Sequence, residues 1–278
     1  GKTMTMTRVG WALLAVAAVG MAGAVDADAQ WARVDAAWCE GRTGGDDERS
    51  CMSFEGDFDA EQQITVDGGQ NGGVQVEGWS QDRVSVRAKV WANAQSADRA
   101  RELADEVRVT FRNGHLSADG PDTGRRESWG VSWEVMVPTD TDLDVETLNG
   151  GISVTEVRGK IDFRAQNGGV HLNGVAGDVS GRTTNGGLHV ELDGRRWDGG
   201  GLDVETTNGG VTVAVPSDYS ARLETGSVNG GMSLDFPVTV QGRVGKRLST
   251  TLGEGGPTVR ATTTNGGVRI VRAGNAIR

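Results

Sequence analysis

The tripeptide Asn-Gly-Gly recurs along this chain and constrains its fold more than any other feature. It begins at Asn71, Asn149, Asn167, Asn185, Asn208, Asn229 and Asn265, and from Asn149 onward the spacings are 18, 18, 23, 21 and 36 residues. Self-similarity at a period of about 18 residues marks a repeat architecture, in which each unit buries its apolar face only against its neighbours. Aligning the repeats on the asparagine produces columns. Six residues before it stand Leu143, Ile161, Val179, Leu202, Leu223 and Val259, and two before it Thr147, Ala165, Thr183, Thr206, Ser227 and Thr263. Three after it stand Ile152, Val170, Leu188, Val211, Met232 and Val268, and five after it Val154, Leu172, Val190, Val213, Leu234 and Ile270. Mostly polar residues lie between them. This period-two alternation is the pattern of strands with one buried face.

Each repeat therefore holds two short strands, one running into the asparagine and one leaving the glycines. Two folds accommodate this. Asn-Gly between alternating hydrophobics is a strong hairpin signal and would give an antiparallel meander. A parallel β-solenoid of two-strand rungs about 18 residues long explains better why whole columns match in size. The asparagines share the parity of the inward residues, so Asn149, Asn167, Asn185, Asn208, Asn229 and Asn265 are expected to form a structural ladder, rung to rung. The glycines are expected to supply positive φ at the corner.

Composition narrows the function. Glycine fills 44 of 278 positions but proline only 5, which excludes collagen-like and Pro-Gly low-complexity chains. With 38 acidic and 28 basic residues the net charge is −10, so the chain lacks the basic footprint of a nucleic-acid binder. Three histidines and two cysteines exclude a zinc-cluster protein and a disulfide-dense miniprotein.

Residues 1–29 read as a signal peptide: Arg8, an apolar run from Trp11 to Val25, then Ala27-Asp28-Ala29 as a cleavage site. The run is too short to span a bilayer, so no transmembrane segment is expected after cleavage. In an oxidising compartment Cys39 and Cys51, in an extension over 30–53, are expected to pair. Residues 54–138 read as a mixed strand-and-helix cap: strands near Ile64, Val74 and Val84, a helix capped by Ser96, a hairpin at Asn113-Gly114, and a strand from Trp129 to Pro138. Residues 139–273 hold the solenoid and 274–278 a tail. The cap is expected to cover the N-terminal edge, and Arg269, Arg272 and Arg278 to charge the last one.

This layout resembles a bacterial family of β-strand-repeat, adhesin-like proteins. The matching pieces are the exported N-terminus, the strand–helix–strand lead, the Trp133-Glu134-Val135-Met136-Val137-Pro138 strand end and rungs such as Thr206-Thr207-Asn208-Gly209-Gly210-Val211. The resemblance spans roughly Phe54 to Val271. It implies a β-solenoid in the cell envelope and brings no catalytic motif; the Cys39–Cys51 prefix lies outside it.

The chain holds no G-x-S-x-G elbow, P-loop or dinucleotide fingerprint, and no cofactor is expected. Outward columns carry Asp144, Asp162, Ser180 and Asp203, then Glu146, Arg164, Arg182 and Glu205. Such acidic and arginine residues could serve a carbohydrate-active enzyme, but the mixed signs read more simply as a solvated face. The residues in excess of 18 all fall between the second strand of one repeat and the first of the next. They are expected to emerge along one corner as a basic and aromatic ligand-binding patch of Arg195, Arg196, Trp197, Tyr219, Arg243, Lys246 and Arg247. His171 and His189, each four places after its asparagine, would stack on adjacent rungs with Glu191 nearby, a candidate metal site. The reading is an exported, non-enzymatic protein of the periplasm or cell surface that binds or scaffolds. Its expected partner is an envelope polysaccharide, another anionic polymer or an envelope protein. The alternatives are a carbohydrate-active enzyme and an envelope-stress or antimicrobial-peptide sensor.

Overall fold

The computed structural model describes residues 30–34, 47–234 and 246–274. The lead segment supplies strands β1 Trp31–Val34, β2 Glu48–Asp59, β3 Gln63–Asp67, β4 Val74–Trp79 and β5 Arg83–Ala94, helix α1 Ala97–Glu106, and strands β6 Arg108–Arg112, β7 His115–Asp119 and β8 Ser128–Pro138. The repeats supply β9 Asp142–Thr147, β10 Ile152–Thr155, β11 Arg158–Asn167, β12 Val170–Asn173, β13 Ala176–Asn185, β14 Leu188–Glu191, β15 Gly201–Asn208, β16 Val211–Val215, β17 Ala221–Asn229, β18 Met232–Leu234, β19 Arg247–Leu252, β20 Thr258–Asn265 and β21 Val268–Arg272. The described residues are mainly β with one helix.

The strands form two sheets. One runs β1-β2-β5-β8-β4-β10-β12-β14-β16-β21-β18, the other β19-β17-β20-β15-β13-β11-β9-β3-β7-β6. Strands flanking each Asn-Gly-Gly lie in different sheets and pair in parallel with their counterparts, as in Ile161↔Val179 and Val170↔Leu188. That pairing excludes hairpins at the asparagine corners. The inward columns of both sheets merge into one apolar core, in which Ile64, Val145, Ile161, Val190 and Val204 have no accessible surface. The parallel stack begins earlier than residue 139: β3 pairs with β9 and β4 with β10, so residues 63–79 lie in the rung register. Around them β1, β2, β5 and β8 pair antiparallel, and α1, N-capped by Ser96, buries Ala100, Leu103 and Ala104 against β2 and β5.

Local chemistry explains the repeat motif. A Cβ on Gly186, the first glycine after Asn185, would sit 2.0 Å from the Gly168 carbonyl oxygen of the rung below, whereas one on Gly187 would meet nothing closer than 3.4 Å. The same close approach recurs at Gly150, Gly168, Gly209, Gly230 and Gly266. None of these glycines has positive φ, which corrects the sequence expectation: backbone proximity, not a left-handed conformation, demands glycine. Two residues before the asparagine, the Thr183 hydroxyl donates to Gly168 O at 2.8 Å, Thr206 to Gly186 O at 2.7 Å and Thr263 to Gly209 O at 2.8 Å. Apart from Ala165, the small column is thus a row of buried hydroxyls that satisfy corner carbonyls.

Chain order and spatial order diverge at the C-terminal side. β20 lies between β15 and β17, and β21 between β16 and β18, while β19 closes its sheet antiparallel to β17. The Asn265 rung is therefore interior and the Asn229 rung is terminal. Arg269 and Arg272 stand on an interior strand, not on the last edge; Arg278 lies outside the described residues.

Candidate functional site

The asparagines line one corner, exposed to solvent rather than inward as their parity suggested. Each Nδ2 donates to the Oδ1 of the previous rung: Asn167 to Asn149, Asn185 to Asn167, Asn208 to Asn185, Asn265 to Asn208 and Asn229 to Asn265, at 2.8–2.9 Å. Asn149 donates to Asn71 at 3.3 Å, and Asn71 to the Trp129 carbonyl at 3.2 Å. Sequence reasoning left Asn71 out of the ladder because 78 residues, not about 18, separate it from Asn149. The shared Asn-Gly-Gly was the available signal.

The outer face of the ten-stranded sheet carries two columns of charged and polar residues. Register aligns Thr65, Asp144, Asp162, Ser180, Asp203 and Arg260 in one column and Asp67, Glu146, Arg164, Arg182 and Glu205 in the next. In the first column neighbours compensate one another. Ser180 Oγ donates to Asp162 Oδ1, Lys160 Nζ lies 3.5 Å from Asp162 Oδ2, and Arg260 lies 3.7 Å from Asp203. In the second, Arg164 and Arg182 stand side by side on paired strands, exposed, without an ion pair or side-chain hydrogen bond among the described residues. Beneath them Phe163 faces inward and its ring fills the space over Gly181, where a Cβ would come within 2.5 Å. This aromatic–glycine pair pins the local register. The arginines border two shallow troughs, of about 330 Å³ and 490 Å³, the first also lined by Asp144, Asp162 and Asp203.

Among the described residues the corner-loop patch is not assembled. Trp197 is buried and donates Nε1–H to Gly177 O at 2.9 Å, and Tyr219 is buried too, its hydroxyl pushed to a higher pKa by burial and then by the Asp193 charge. Both aromatics close the core beneath the loops. Arg195 and Arg196 are exposed and tied to Ser220, whose N–H donates to Arg195 O at 2.7 Å. Lys246 and Arg247 lie at the other end of β17, where Arg247 pairs with Gly226 and Lys246 Nζ donates to Val228 O. Six residues of strand, about 20 Å, separate the two groups. Arg243 lies outside the described residues, as does Cys39 of the expected Cys39–Cys51 pair.

On the opposite sheet His171 and His189 do meet, with ring centroids 5.6 Å apart and planes inclined by 39°. Burial, then the His171 charge, lowers the His189 pKa, while Glu191 works in the other direction. Among the described residues no group of three or more His, Cys, Asp or Glu is placed to hold a metal. His171, His189 and Glu191 are thus not placed as a metal set; Glu191 stands two residues, about 7 Å, along the strand from His189. Nor is any helix among them long and apolar enough to cross a membrane.

Residues 141–271 match the family model Toastrack DUF4097. The chain is also similar to the crystal structures of a putative cell adhesion protein from Clostridium sporogenes and a putative adhesin from Bacteroides fragilis. The first shares 10% identity at TM-score 0.42, covering 78% of this chain and 98% of that one; the second shares 10% at TM-score 0.32, covering 80% and 97%. No curated protein matches.

Proposed function

We propose that this chain, which carries a Toastrack DUF4097 domain over residues 141–271, is an exported, non-catalytic binding protein of the cell envelope. Rungs of about 18 residues, closed by the strand-and-helix lead segment, form a rigid scaffold. The outer face of its ten-stranded sheet docks an extended carboxylate-bearing polysaccharide. The observation that carries this reading is the Arg164–Arg182 pair: two exposed guanidiniums with no partner among the described residues, on a flat platform. Guanidinium binds carboxylate in a two-pronged geometry, and the flanking Asp144, Asp162 and Asp203 can accept hydrogen bonds from sugar hydroxyls. Asp162, which stands beside Asp144 on paired strands, is already engaged by Ser180 and Lys160, which favours binding over catalysis.

Affinity electrophoresis through a uronate polymer, with a neutral glucan as control, tests this. The protein should be retarded by the uronate, less so at high salt, and Arg164→Ala with Arg182→Ala should weaken binding about tenfold, the equivalent of about 1.4 kcal/mol. A reducing-sugar assay on the same polymer should stay flat. Equal retardation of parent and double variant, or release of reducing ends, would overturn the reading.

A further inference from the structure

The Asn-Gly sequence that builds the corner ladder is also the sequence most open to a spontaneous backbone reaction, and the ladder controls where that reaction can occur. We infer that Asn229 is a modification site: alone in the ladder, it is poised to deamidate to aspartate and isoaspartate in the folded protein. The reaction needs two freedoms. The asparagine side chain must swing its Cγ onto the following backbone nitrogen, and that nitrogen must give up its proton.

The rungs of Asn185, Asn208 and Asn265 deny both. Asn185, Asn208 and Asn265 each hold their side-chain amide by two bonds, Nδ2 donating to the rung below and Oδ1 accepting from the rung above. The nitrogens that would attack them are also engaged: Gly186 N–H donates to Asn208 O, Gly209 N–H to Asn265 O and Gly266 N–H to Asn229 O, at 3.0–3.2 Å. Among the described residues no rung lies above Asn229, because β20 and β21 insert below it. Its side chain keeps only the donation to Asn265, and among the described residues neither its Oδ1 nor the Gly230 N–H has a partner. Asn229, Gly230 and Gly231 are all exposed, so water and hydroxide reach them.

Each step balances. A solvent base takes the Gly230 amide proton, the nitrogen bonds to Asn229 Cγ, the Cγ–Nδ2 bond breaks and ammonia leaves. Water then opens the cyclic imide at either carbonyl, giving aspartate or a backbone lengthened by one methylene. Either product removes the donor that Asn265 Oδ1 receives and places a carboxylate at the end of the ladder.

The test is peptide mapping by mass spectrometry of the full chain aged at mildly alkaline pH, folded and in urea. In the folded protein the Asn229 peptide should convert at least about tenfold faster than those of Asn185 and Asn208, since about 1.4 kcal/mol of barrier is worth that factor. In urea the three should converge. Equal rates in the folded protein, or no conversion at Asn229, would overturn the inference.

Discussion

At the scale of single residues, backbone proximity and burial set the consequences. Gly186 and Gly187 look interchangeable in sequence, yet only the first lies against the neighbouring backbone. Gly186→Ala should cost about 3 kcal/mol, the upper end of overpacking penalties, and Gly187→Ala well under about 1 kcal/mol. Urea denaturation of the two variants checks this, and equal costs would contradict the close-approach account. His189 supplies a pH dependence. Its proton is held less tightly in the folded chain than at the ordinary value of 6.5. The unfolded state therefore binds more protons just below that pH, and stability falls as the pH drops through 6.5 toward the lowered value. The melting midpoint should be lower at about pH 5.5 than at about pH 7.5, and His189→Asn should flatten that slope. An unchanged slope in the variant would remove His189 as the cause.

At the scale of elements, the loop insertions hold the core closed where they were expected to bind. Trp197→Ala should cost about 3–5 kcal/mol because it empties a core position and strands the Gly177 carbonyl. Replacing the exposed Arg195 and Arg196 should shift stability by about 0.5 kcal/mol or less. Thermal melts separate the cases, and a stable Trp197→Ala protein would restore Trp197 as a surface residue. The sequence showed that these loops interrupt the repeat. It could not show that Trp197 and Tyr219 turn inward, because alternation ends where the strand ends. The strands themselves were legible, since period-two columns survive any choice of neighbour. So was α1, through Ser96 and the face of Ala100, Leu103 and Ala104. The Arg164–Arg182 pair was visible as neighbours within one column; its lack of partners among the described residues was not, because that depends on how side chains settle across rungs.

At the scale of the molecule, the inserted C-terminal rung is the decisive feature. In a solenoid stacked in chain order, removing the last repeat trims one end. Here β20 and β21 separate β17 and β18 from β15 and β16. A chain ending at Gly256 should therefore lose hydrogen-exchange protection across residues 221–234 as well, although those residues remain. Protection there equal to that of the full chain would refute the inserted order. The same insertion gives the asparagine ladder its terminus at Asn229.

The sequence by itself determined the repeat, the two strands per repeat, the inward columns and the corner asparagines, because these follow from local alternation and from a motif copied at fixed spacing. It also determined that His171 and His189 would be neighbours, since equal offsets from successive asparagines place them on paired strands. Only the tertiary structure decided the order in which rungs stack, the inclusion of residues 63–79 in the stack, the burial of Trp197 and Tyr219 and the separation of Lys246 and Arg247 from Arg195 and Arg196. The physical reason is shared. Matched rungs present nearly the same edge to one another, so the pattern fixes what can pair without fixing which rung pairs with which. That choice falls to loop lengths and core packing, which exist only once the chain has closed on itself.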